Sequence, residues 1–108
     1  MNILAVTTNE IPGKMIVEVK GMAHGIVVRT PTISQGILGG LKNIIGGGNK
    51  SYGDMCEKAR EDAYSKMLID AARMGANAVI AVRYDSDSIG GTSAANEVFC
   101  YGTAVLVE

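Results

Sequence analysis

"SYGDMCEKAREDAYSKMLIDAARMG", residues 51–75, decides the fold. Tyr52, Cys56, Ala59, Ala63, Met67, Ala71 and Met74 recur at steps of three and four, the spacing of one helix face. Tyr64, Leu68 and Ala72 widen that stripe, and Glu57, Lys58, Glu61, Lys66 and Arg73 supply a wet face. Ser51 with Asp54 reads as a capping box, Asp62 before Lys66 as a favourable i,i+4 pair, and Gly75 as the C′ glycine. The spacing predicts one long amphipathic helix.

Strand patterns flank it. "NAVIAVRYDS" (77–86) alternates, with Ile80, Val82 and Tyr84 on one face against Val79, Ala81 and Arg83 on the other. A polar loop from Asp85 to Asn96 leads to "EVFCYGTAVLVE" (97–108). That strand is apolar on both faces: Val98, Cys100, Ala104 and Leu106 against Phe99, Tyr101, Val105 and Val107. One helix covers one face of a sheet, so a second covering surface is needed, most simply another subunit.

Before the helix, "PTISQGILGGLKNIIGGGNK" (31–50) is too rich in glycine for more than short helical turns. "KMIVEVKGMAHGIVVRT" (14–30) is a strand that changes phase, with Gly21 and Gly25 marking a bulge or sharp coil. "NILAVTT" (2–8) is a short strand closed by a turn at residues 9–13. The expected architecture is α+β: a β-β-α-β-β two-layer subunit with an antiparallel sheet and one long helix, forming a single domain over residues 1–108.

Composition narrows the function. Of 108 residues, 47% are hydrophobic and only 19% charged, an apolar excess that points to surface buried between subunits. The net charge is -1 and no basic tract with stacking aromatics exists, which argues against nucleic acid. No apolar run approaches the ~20 residues of a membrane span, and "MNILAVTTNEIPG" has no basic leader region. A cytoplasmic chain with Cys56 and Cys100 reduced is expected, both as small buried hydrophobes.

"GGGNKSYGDMCEKAREDAYSKMLIDAARMGANAVIAVRYD" resembles the central signature of the YbjQ family: Gly-Gly, a Tyr, Ala-Arg-x-x-Ala along a helix, then Gly-Ala-Asn-Ala-Val into a strand. "YGTAVLVE" is similar to the family's ending, and "ISQGILGGLKNIIGGG" to its glycine-rich stretch. The resemblance spans residues 1–108. It implies a dodecin-like subunit and a ring-forming homo-oligomer, a pentamer, and carries a heavy-metal-binding label with no other biochemical role assigned. The family pattern also places an Arg at Arg60, which suggests a structural salt bridge across a subunit boundary.

The residues offer few sites. His24, the one histidine, sits in "GMAHG", where a soft-metal loop of the form Gly-Met-x-Cys-x-x-Cys carries its first thiolate. The second thiolate position is Val27, and a metal needs three or four ligands at ~2.0–2.3 Å. A heavy or transition metal ion on His24 therefore needs Cys100 or symmetry copies; otherwise His24 is a polar residue at a strand bend. "GGGNKS" opens a helix without the P-loop glycine before its lysine, so a nucleotide site is rejected. An anion or small ligand at Gly47, Gly48, Lys50 and Ser51 remains, beside the reading of a hinge with a Ser51 cap. "DSDSIGG" (85–91) starts like a calcium loop, but Ile89 stands where a third oxygen ligand belongs and Asn96 replaces the bidentate Glu of the twelfth position. No nucleophile–base pair is evident, so no enzyme is expected. Two readings follow: a small-ligand or metal-binding oligomer, or a structural oligomer whose residues 34–50 contact a partner protein.

Overall fold

The structure is a computed structural model that describes residues 2–29, 48–89 and 95–108; most of the glycine-rich stretch, including residues 34–47, lies outside them. In chain order the elements are β1 (Leu4–Ala5), β2 (Ile16–Arg29), α1 (Gly48–Arg73), β3 (Ala78–Ile89) and β4 (Ala95–Val107). They form one four-stranded sheet in the order β1-β3-β4-β2, with α1 packed across one face. The β3–β4 and β4–β2 pairings are antiparallel, and the two-residue β1 adds to β3 in parallel. The sheet is thus mixed, not wholly antiparallel, because β1 returns beside a strand that runs the same way.

Helix α1 lies on the inner face through a row of small residues. Ala59, Ala63, Met67 and Ala71 are buried against Ala23, Val27, Val98, Cys100 and Ala104. Gly25 deepens this contact, and Gly102 makes room for the side chains of β3. A Cβ on Gly25 would meet the Ala63 carbonyl and stand 2.7 Å from both Lys66 Cβ and Met67 N. One on Gly102 would stand 2.6 Å from Val79 Cγ1.

The helix ends as its sequence signals. Gly75 adopts φ +87°, its N–H donates to Ala72 O at 3.0 Å, and Ala76 N–H reaches Ala71 O at 3.1 Å. Those two bonds are the 5→2 and 6→1 pair of a Schellman motif. The start differs. Helix already runs from Gly48, so Ser51 lies inside it and is not an N-cap.

The strands also depart from simple alternation. Gly21, at φ +137°, sits at a register shift in β2, whereas the pairing through Gly25 is regular. The phase change belongs to Gly21, and Gly25 is small because the helix presses on it. In β3, Ala81 takes φ +55° within a register shift between Ile80 and Arg83, and its N–H donates to Thr8 O at 2.8 Å. This bulge puts Val79 and Val82 both in the core, where strict alternation sets them on opposite faces. The expected polar loop from Asp85 is strand instead: β3 continues to Ile89 and pairs Asp85, Ser86 and Asp87 with Phe99, Val98 and Glu97.

The second face of β4 is partly covered by this chain. Ile11, buried in the segment after β1, packs with Ala78, Val105 and Val107, and Val6, Ile16 and Ile80 border them. One end of the two-sided strand therefore needs no other subunit. At the other end Phe99 and Tyr101 stay half-buried, stacked with ring centroids 5.0 Å apart.

Candidate functional site

The metal candidates are not brought together. His24 faces Tyr101 across the β2–β4 ladder while Cys100 faces Gly25, one position along. Neighbouring positions point to opposite sides of a sheet, so His24 stands on the outer face and Cys100 on the helix side. His24 packs its ring 5.7 Å from that of Phe99 and leaves about half of its side chain in solvent. Its backbone N–H donates to Asp70 Oδ2 at 3.0 Å, and its Nδ1 stands 3.7 Å from the same oxygen.

Cys100 is fully buried, with its thiol 3.6 Å from Met67 Sδ. Burial pushes that thiol up from its usual range, and the neighbouring Tyr84 hydroxyl offsets part of the rise. Loss of solvent and the neighbouring thiol push the Tyr84 hydroxyl up to about 12. A thiol held protonated in an apolar core is a poor metal ligand. Among the described residues no group of three or more His, Cys, Asp or Glu side chains stands close enough to hold an ion.

For the expected anion site, Gly47 lies outside the described residues. Gly48, Lys50 and Ser51 form the first turn of α1, and their side chains are not among those described.

A better-formed site lies farther along the same helix. Where α1 crosses the far end of the sheet, a cavity of about 180 Å³ is lined by Arg29, Cys56, Ala59, Arg60, Ser86, Asn96 and Val98. Strand register assembles it: Arg29 of β2 pairs with Asn96 of β4, and Ser86 of β3 with Val98. The helix contributes Cys56, Ala59 and Arg60 within about one turn. Ala59 and Val98 are apolar floor, and Arg29, Arg60, Ser86 and Asn96 bring polar groups to its walls.

Arg29 donates from Nη2 to Asp62, and its buried Nε has no hydrogen-bond partner. Asp62 also faces Lys58 Nζ at 3.6 Å, so one carboxylate serves two cations. Its expected partner Lys66 instead donates to Ile26 O at 3.3 Å. Arg60 makes no hydrogen bond or ion pair among the described residues, though it also borders a groove with Glu57, Glu61, Tyr64 and Tyr84. Cys56 is exposed at this cavity, contrary to its expected place in the buried stripe. Ala59 is the first helix residue described as buried, and Cys56, one turn earlier, opens onto the cavity instead of filling it. No local sequence signal marks this cavity, because residues 29, 60, 86 and 96 meet only through register.

A small α+β fold with an exposed sheet face and an end cavity bordered by two arginines is the class these features define. The chain belongs to the YbjQ family, whose profile it matches over residues 3–108 under the description "Putative heavy-metal-binding". It is 57% identical over 106 residues to a UPF0145 protein of Francisella philomiragia, covering 97% of this chain and all of that one. A UPF0145 protein of Legionella pneumophila is 50% identical over 107 residues, covering 99% of this chain and all of the relative. In three dimensions the chain is similar to a protein of unknown function of the DUF74 family from Pediococcus pentosaceus. The TM-score is 0.65 at 13% identity, covering 98% of both chains, a likeness of fold alone.

Proposed function

We propose that this chain is the non-enzymatic, cytoplasmic subunit of a homo-oligomer, a pentamer, that binds a small ligand. One observation carries the assembly. Val19, Met22, Ile26 and Val28 stand on the outer face of β2, opposite Val105, Thr103, Phe99 and Glu97, and are 40–63% exposed. Four apolar side chains flanking His24 on one face, beside the half-buried Phe99 and Tyr101, are more than scattered surface hydrophobes. A second copy of the same chain covers them. The number five rests on the family resemblance.

Edge-to-edge pairing of β2 is disfavoured. Its His24 N–H is taken by Asp70 and its Ile26 carbonyl by Lys66, so the strand's open edge is capped by its own helix. Assembly uses the face. No helix among the described residues is long and apolar enough to cross a membrane.

The family description supports a metal as the ligand, and within one subunit the geometry opposes His24 with Cys100. A metal would have to join His24 residues of several copies, each steadied by its Asp70. Metal analysis of untagged protein, with His24→Ala as control, tests that branch. Stoichiometric metal lost in His24→Ala supports it, and no metal above background removes it.

A further inference from the structure

The geometry points to the cavity between α1 and the far end of the sheet as a binding site for a small oxyanion, a phosphate or carboxylate compound, held by Arg29, Arg60, Ser86 and Asn96. This deepens the ligand half of the proposed function and is independent of the assembly half.

The donor set is specific to that chemistry. Guanidinium groups present planar N–H pairs that match the oxygens of phosphate and carboxylate. Arg29 enters from the end of β2 and Arg60 from α1, so the charges converge from the sheet and from the helix. Ser86 and Asn96 add a hydroxyl and an amide, and neither makes a side-chain hydrogen bond among the described residues. Arg29 commits Nη2 to Asp62 while its Nε finds no acceptor, so its donor capacity is not used up inside the chain.

The local charge balance favours an anion. Asp62 is the carboxylate paired with Arg29, and Lys58 partly neutralises it. Glu57 and Glu61 line the neighbouring groove and reach no salt bridge to Arg60. The two charged side chains that line the cavity itself, Arg29 and Arg60, are both cations, while Glu57 and Glu61 border Arg60 from the groove beside it. Ala59 and Val98 form an apolar floor that keeps water from one side and strengthens the charged contacts. A volume of about 180 Å³ suits a small anion with a short organic body.

Isothermal titration calorimetry on the full chain, in a buffer free of other oxyanions, tests the site with inorganic phosphate in one arm and succinate in the other. Saturable binding in at least one arm is expected, at one ligand per chain. Arg60→Gln and Ser86→Ala should each weaken it, by at least about tenfold for Arg60→Gln, with the particle mass unchanged. The arm that binds identifies the ligand as phosphate or carboxylate. No saturable heat with either probe overturns the site, as does binding that both variants leave intact. If Arg60→Gln fails to fold, Ser86→Ala alone decides between these outcomes. Light scattering on the wild type separates the two proposals. A monomer that binds phosphate keeps the site and removes the assembly, whereas an oligomer that binds neither probe keeps the assembly and removes the site.

Discussion

Asp70 accepts the backbone N–H of His24 at 3.0 Å. The donor is an outward-facing amide of an edge strand, and the acceptor lies on the helix that packs over that edge. Lys66 and Asp62 stand one and two turns before Asp70 and engage the Ile26 carbonyl and Arg29 of the same strand. This row converts a polar helix face into a clamp along β2, and leaves the apolar outer face of the strand uncovered by the helix.

Removing the clamp's acceptor has a modest, local cost. Asp70→Ala leaves the His24 N–H without its partner and also loses the contact to Arg73 Nη1 at 3.2 Å. A loss of about 0.5–1.5 kcal/mol is expected, read by urea denaturation. Amide exchange at His24 should accelerate more than exchange in the central strand β4.

Gly25 is the position where the helix comes nearest the sheet. Gly25→Ala places a methyl against the Ala63 carbonyl and Met67 N, which are backbone atoms that move only if the whole helix shifts. A destabilisation of about 1–3 kcal/mol follows, seen as a fall in melting temperature. Gly21→Ala meets no atom within 4 Å, and its cost comes only from φ +137°.

Ala81 behaves in the opposite way. It holds φ +55° without being glycine, a conformation that costs an L-residue about 1–2 kcal/mol. Ala81→Gly should leave the melting temperature equal or raise it, although glycine within a strand ordinarily lowers stability. A clear fall would show that this bulge is not in the left-handed region.

Positions like these mark the limit of what a sequence conveys. The helix, its Gly75 terminator and the β-β-α-β-β order are legible because each depends on spacing within one segment. The Ala81 bulge is not, since no glycine marks it and the Thr8 carbonyl that fixes it lies far away in the chain. Gly25 stands out in the sequence but resembles a bend, because only the packed helix reveals why a side chain is excluded there. Cys56 fits the apolar stripe by spacing and Arg60 stands close beside it, and the cavity they share with Ser86 and Asn96 exists only in the assembled sheet.

Stability should fall at alkaline pH. The Tyr84 hydroxyl is raised from 10.0 to about 12 by burial and by Cys100, whose thiol burial also raises from 9.0. Both groups hold their protons more tightly folded than unfolded, so their contribution is complete below pH 9. It is then lost as pH rises toward 12. Melting temperatures from pH 8 to 12 should decline across that window, and Tyr84→Phe should flatten the part above 10.

Assembly through the outer face of β2 underlies the proposed function, and particle mass reports on it without an intermediate step. Light scattering on the wild type should give about five times 11.3 kDa, and Ile26→Glu, which puts a charge on that apolar face, should reduce it. A wild-type mass of 11.3 kDa, or an oligomer that Ile26→Glu leaves intact, would refute assembly through this face.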